Sequence, residues 1–192
     1  MPVFLWIIVG MWAVFMGWLF IPSLLRGGPK PQKVSQTYVR RSFLVFAIVI
    51  VVFIVAGQID PEIFLVRFLP DNGLTGIAAV VLTLSGLCFS AYARIHLGRN
   101  WSSMVMIQEG HRLIRTGPYR YVRNPMYTGL FTAYTGVVVA LGIVAALAAF
   151  VIITGAIWIK IKAEEELLEE QFGEEYEQYR SDVPARIIPG IV

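Results

Sequence analysis

Four stretches of this chain carry no charged side chain: Val3–Leu25, Ser42–Ile59, Asn72–Ala93 and Asn124–Ile159. No other feature limits the fold so sharply. A helix needs about 20 apolar residues to cross the roughly 30 Å hydrocarbon core of a bilayer. Within that core, backbone polar groups must be satisfied inside the helix itself. The first three stretches fit one crossing each. The fourth has 36 residues, too many for one helix and few for two, so it reads as a tight hairpin of two short helices turning near Gly136–Gly142. Only 15% of the residues are charged, against about a quarter in soluble domains. The expected fold class is therefore all-α integral membrane, a single domain over residues 1–192. Its five transmembrane helices are expected near 3–25, 42–59, 72–95, 125–141 and 143–162, with a loop over 96–124 and a C-terminal tail over 163–192. The N-terminal stretch lacks a basic flank and a small-residue cleavage site before Pro22, so it reads as a membrane helix rather than a signal peptide.

Charge placement sets the expected orientation. The first loop holds Arg26, Lys30, Lys33, Arg40 and Arg41; the segment from Arg94 to Arg123 holds six arginines; the tail holds Lys160, Lys162, Arg180 and Arg186. Thus 15 of the 16 basic residues fall on one side of a five-helix topology. The positive-inside rule makes that side cytoplasmic, with the N-terminus outside and the C-terminus inside. The net charge of +3 follows from topology and anionic lipid contact, and it argues for no nucleic-acid partner. The lone cysteine, Cys88, allows no internal disulfide and reads as a small packing residue. His96 and His111 lie fifteen apart without fitting Cys or acidic neighbours, so no metal site is expected. Neither a Ser-His-Asp order nor a phosphate-binding glycine loop is present.

Two segments hold chemistry that topology alone does not require. Four arginines, Arg112, Arg115, Arg120 and Arg123, precede the pair Asn124-Pro125. Asparagine is a strong N-cap and proline suits the first helical position, so a helix is expected to start there. Its positive end is a potential anion site, although a capped membrane helix flanked by topology-setting arginines fits the same residues. Leu113-Ile114 reads as a short apolar strip returning to the membrane surface. The second segment is Glu164-Glu165-Glu166, directly after the last apolar stretch. Acids at headgroup level are costly beside anionic lipid and call for a cationic partner, or else form a solvated face. Lys160 lies four residues earlier and shares a helix face with Glu164; it fits a site or a snorkelling role. In the tail, Leu168, Phe172, Tyr176 and Tyr179 recur on one helical face, and Val183-Pro184 ends that helix.

Together "HRLIRTGPYRYVRNPMYTG" (His111–Gly129) and "EEELLEEQFGEEYEQYRSDVPARIIP" (Glu164–Pro189) resemble the isoprenylcysteine carboxyl methyltransferase family. "LGRNWS" (Leu97–Ser102) is similar to the family's segment after its third core helix. The resemblance implies methyl transfer from S-adenosyl-L-methionine, leaving S-adenosyl-L-homocysteine, with loop and C-terminal helix capping the cofactor pocket. Carried over, the cofactor-binding residues are His111, Arg112, Leu113, Ile114, Tyr119, Asn124, Pro125, Met126, Tyr127, Glu164 and Glu165, and the substrate-binding residue is Lys160. Two departures stand out. Asn124 replaces a family histidine and cannot titrate, and Lys160 replaces a family arginine, which weakens two-pronged recognition of a carboxylate.

The implied substrate is the carboxylate of an isoprenylated cysteine, arriving from the bilayer among membrane lipids. A carboxylate is already ionised at neutral pH, so no acid/base catalytic residue is expected; positioning and desolvation carry the rate. The same motifs also resemble phospholipid amine N-methyltransferases, which need a base, and in part sterol-type reductases. A lipid-binding scaffold is the non-enzymatic alternative.

Overall fold

The structure, a computed structural model, describes residues 2–26, 31–35, 38, 61–102, 105–188 and 190. Its described residues form α1 (Pro2–Arg26), a single turn α2 (Pro61–Leu65), α3 (Gly73–Leu97), α4 (Pro125–Leu141), α5 (Val144–Phe172) and α6 (Glu174–Asp182). Three of these, α1, α3 and α5, are long and apolar enough to cross a membrane, and α4 is a shorter apolar helix. The helix expected over 42–59 lies outside the described residues.

Each boundary has a local cause. Asn72 starts α3: its side chain accepts from the Thr75 amide at 3.0 Å, and Thr75 Oγ1 accepts from the Asn72 amide at 3.3 Å. This reciprocal capping satisfies two helix-end donors. Gly98, at φ 53°, ends the helix where a side chain would be strained. Pro125 occupies the first position of α4, and left-handed Gly142 closes it by donating its amide to Val138 O.

Gly136, expected near a turn, is instead buried inside α4. Only Gly142 and Ile143 separate α4 from α5, and this connection docks on the segment after α2: Phe68 N donates to Gly142 O and Val144 N to Val66 O.

The centre of the molecule is the α3–α4 interface, on which α1 packs. The buried face of α3 is Gly76, Ala79, Thr83, Gly86, Leu87, Ser90 and Ala93. Small residues bring two backbones close, which is how helices associate when lipid is the alternative solvent. A Cβ at Gly129 would come within 2.5 Å of Gly86 O, and one at Gly86 within 2.4 Å of Ala133 N. Ser90 Oγ donates to Met126 O at 2.8 Å. Phe15 and Leu19 of α1 close the core over Leu87 and Ala133. Cys88, read from sequence as a packing residue, is exposed; it lies on the face of α3 turned away from α4.

Two features depart from the expected all-helical layout. β1 (Pro31–Val34) pairs antiparallel with β2 (Met106–Gln108), with Val34 opposite Met106. The first and third polar segments therefore meet in one short ladder. α5 also continues through the expected boundary near 162 as far as Phe172. Alanine, lysine, glutamate and leucine over 160–170 are strong helix formers, so the helix leaves the apolar zone without a break. It stops at Gly173 (φ 52°), and α6 begins at once. The tail face survives this break: Tyr176 and Tyr179 are buried with Val183, and Leu113, Leu168 and Phe172 pack on them. Leu113, of the Leu113-Ile114 strip, packs on this tail face.

Candidate functional site

One cavity of about 280 Å³ lies between the start of α4, the middle of α5, the segment after α3 and the end of α1. Its lining includes the polar residues Asn100, Ser102, His111, Tyr119, Arg123, Asn124, Tyr127, Lys160 and Glu164. It also includes Met16, Leu19 and Phe20 of α1, Leu130 and Tyr134 of α4, and Trp101, of which Met16, Leu19, Leu130 and Trp101 belong to one apolar cluster. β2 and the middle of α5 close a third wall through Val105, Ile107 and Leu167.

Glu164 is the acidic group of the cavity. Tyr127 Oη lies 3.0 Å from each of its carboxylate oxygens, and Lys160 Nζ is 3.7 Å from Oε1, one turn earlier. Lys160 Nζ is also 5.9 Å from the centre of the Tyr127 ring, within cation–π range. These three groups form one connected cluster, drawn from α4 and α5 by the register of the two helices.

Glu165 has a different setting. It is buried and does not line the cavity. Its Oε1 accepts from Arg123 Nε at 3.1 Å and from Asn124 Nδ2 at 2.9 Å. Its Oε2 accepts from Arg186 Nε at 2.9 Å, with the Arg186 terminal nitrogen at 2.8 Å. A buried carboxylate satisfied by two guanidinium groups and an amide is fully paired. Arg123 is held further by donating to Val183 O at 2.8 Å and Pro184 O at 2.6 Å. Of the four arginines that precede the helix start, this one is committed to the protein. Arg115 is also engaged, with Glu175 at 3.3 Å.

Asn124 does precede α4, but its side chain makes no cap bond to the helix. The buried Glu165 carboxylate takes the amide instead, a stronger charge-assisted bond than a neutral cap. The loop residues His111 and Tyr119 hold neutral groups. Burial lowers the His111 imidazole below its usual value. Burial, with Tyr179 and Glu164 adding to it, raises the Tyr119 hydroxyl well above the usual tyrosine range. His111 packs against Phe172 with ring centres 5.9 Å apart, and its Nδ1 is buried without a hydrogen-bond partner among the described residues.

Of the residues singled out in the sequence, His111, Tyr119, Asn124, Met126, Tyr127, Lys160 and Glu164 meet at this cavity, whereas Arg112, Leu113, Ile114, Pro125 and Glu165 do not line it. Arg112 is exposed, and its amide donates to Asn100 Oδ1 at 3.0 Å. Sequence reasoning missed Arg123 as a cavity residue and the apolar lining from α1 and α4. A signal existed in α4: Tyr127, Leu130 and Tyr134 are spaced for one helical face. None existed in α1, which is apolar on every side and gives no face away.

Residues 74–175 match the profile of the family described as phospholipid methyltransferase. Over 111 residues the chain is 33% identical to a protein-S-isoprenylcysteine O-methyltransferase of Schizosaccharomyces pombe, covering 54% of this chain and 47% of that protein. It is 29% identical over 115 residues to protein-S-isoprenylcysteine O-methyltransferase B of Arabidopsis thaliana, covering 58% and 57% of the two chains. An uncharacterised protein of Bacillus subtilis is 30% identical over 66 residues, covering 34% of this chain and 38% of that one. The chain thus spans about half the length of these curated relatives. The matched profile takes in nearly all of α3, all of α4 and α5, and most of the residues that line the cavity, and by that match the chain belongs to the phospholipid methyltransferase family.

Proposed function

We propose that this chain transfers a methyl group from S-adenosylmethionine to the carboxylate of an isoprenylated cysteine, or of a similar lipophilic carboxylate, forming a methyl ester. The observation that carries this reading is a cavity lined both by Glu164, Lys160 and Tyr127 and by an apolar cluster of Met16, Leu19, Leu130 and Trp101. The donor set fits the cofactor. Glu164 is an anion suited to a sulfonium or ammonium group, the rings of Tyr119 and Tyr127 favour a cation, and the start of α4 favours a carboxylate. When bound, S-adenosylmethionine supplies an electrophilic methyl group on a positive sulfur.

The chain's own residues do the rest by placement. Lys160 offers a positive charge beside Glu164, which suits a substrate carboxylate next to a cationic donor. No side chain has to remove a proton, because a carboxylate is ionised well below pH 7. The neutral His111 and Tyr119 and the apolar walls keep water from solvating the nucleophile. The apolar cluster from α1, α4 and Trp101 suits a prenyl chain arriving from lipid. The placement of the basic residues supports a site on the cytoplasmic side, with the N-terminus outside.

The test uses labelled S-adenosylmethionine and a small farnesylated cysteine in detergent or vesicles. Label that alkali releases as methanol supports the reading. An alkali-stable label on phosphatidylethanolamine would establish nitrogen methylation instead, the second reading, which the family description favours.

A further inference from the structure

Glu165 is the best-satisfied buried charge in the molecule's described part, yet it stays outside the cavity. What it holds is informative. Through Arg123 and Arg186 it ties the C-terminal segment to the residues that start α4. The backbone follows the same pairing: Arg123 N donates to Ala185 O at 2.9 Å and Asn124 N to Arg186 O at 3.0 Å. Thr128 Oγ1 adds a bond to Ile187 O.

The same carboxylate fixes the direction of the Asn124 amide. A carboxylate only accepts hydrogen bonds, so the group facing it at 2.9 Å must be the NH₂. The reverse rotamer would set two acceptors against each other. The Asn124 carbonyl oxygen is then the end left for the cavity that Asn124 lines.

We propose that Glu165 is a positioning residue and not a cofactor ligand: by anchoring the C-terminal segment and orienting Asn124, it makes position 124 a fixed acceptor for an N–H donor of the ligand. This rests on the cofactor reading above. The donor is an amino group of the cofactor, either the ammonium of its amino-acid end or the exocyclic amine of its base. Because an amide does not titrate, this contact holds its polarity across the working pH range. A histidine there would exchange donor and acceptor roles on protonation.

Three measurements test this on the full chain in detergent. The first is calorimetric binding of S-adenosylhomocysteine, its analogue lacking the α-amino group, and its analogue with a hydroxyl in place of the base amine. Wild type is expected to bind one of the two analogues about tenfold more weakly than the parent, as befits one lost buried hydrogen bond. Asn124→Leu should weaken the parent by about as much and bind that analogue no worse than the parent. Equal weakening of all three ligands by Asn124→Leu overturns the acceptor assignment.

The second is hydrogen exchange at the Arg123 and Asn124 amides without ligand. Glu165→Gln and Arg186→Gln should both speed it, since Arg186 touches the carboxylate and not the cavity. The third is affinity in Arg186→Gln, which should fall in the same sense as in Glu165→Gln. If Glu165→Gln abolishes binding while exchange at both amides is unchanged, Glu165 is a direct ligand and the proposal is wrong. If Arg186→Gln speeds exchange yet leaves affinity and analogue discrimination intact, the link from anchor to site is wrong. Absence of S-adenosylhomocysteine binding to wild type sinks the cofactor reading, and with it the ligand half of the proposal. The exchange result reports on the anchor regardless.

Discussion

The hydroxyl of Tyr127 sits 3.0 Å from both carboxylate oxygens of Glu164, a single donor shared between two acceptors. It joins the first turn of α4 to a point on α5 that is 37 positions away in sequence. A shared bond of this kind limits rotation of the carboxylate as well as its charge.

Tyr127→Phe should therefore act through Glu164. The ring and its packing stay, while the carboxylate loses its fixed direction. Affinity for S-adenosylhomocysteine is expected to fall by about tenfold, in line with one hydrogen bond to a charged group. Titration calorimetry on the purified variant checks this. Affinity equal to wild type would mean that Glu164 does not face the ligand.

Lys160 separates substrate from cofactor recognition. Lys160→Ala should raise the substrate KM and leave S-adenosylhomocysteine affinity nearly unchanged, since Lys160 meets Glu164 only at 3.7 Å and the Tyr127 hydroxyl still holds that carboxylate. Lys160→Arg should lower KM, because a planar guanidinium matches a carboxylate in two places. A loss of cofactor affinity in Lys160→Ala would move the lysine to the cofactor.

Gly86 and Gly129 should tolerate no side chain. A Cβ at either meets backbone atoms of the facing helix at 2.4 to 2.6 Å, and backbone cannot rotate away. Gly129→Ala should lower stability by about 1–3 kcal/mol, the usual cost of overpacking. Thermal unfolding in detergent reads this. Gly10→Ala, at a position with open space, serves as the control and should leave the midpoint unchanged.

His111 gives the protein an acid limit. Burial lowers its folded-state pKa below the usual 6.5. The unfolded chain therefore takes up the proton first as pH falls, and stability is lost below about pH 6.5 while it is complete above it. The melting temperature of wild type should drop between pH 7 and 5. His111→Gln should flatten that dependence. An unchanged slope in the variant would assign the acid sensitivity elsewhere.

Much of this was legible in the sequence, for reasons that can be named. Uncharged length locates helices because lipid admits little else, and Asn124-Pro125 marks a helix start because proline's missing amide is no loss there. The meeting of His111, Tyr119, Asn124 and Tyr127 with Lys160 and Glu164 at one cavity was legible only through motif resemblance. The division of labour between Glu164 and Glu165 was not legible. Neighbours in sequence point about 100° apart on a helix, so one faces the cavity and the other the C-terminal segment, and only the packing of α5 decides which. The β1–β2 ladder was hidden too, because three- or four-residue strands carry no periodicity worth reading.

The unbroken course of α5 has a mechanical consequence. Its 29 residues make a rod about 44 Å long at 1.5 Å per residue. The uncharged part, Val144–Ile159, accounts for about 24 Å of it, less than the roughly 30 Å of an average hydrocarbon core. Lys160 and Glu164 ride on the same rigid body immediately beyond. A thicker bilayer must therefore thin locally or draw this rod inward. Thinning leaves the protein as it is, whereas an inward pull on α5 would load the Tyr127–Glu164 bond that ties it to α4.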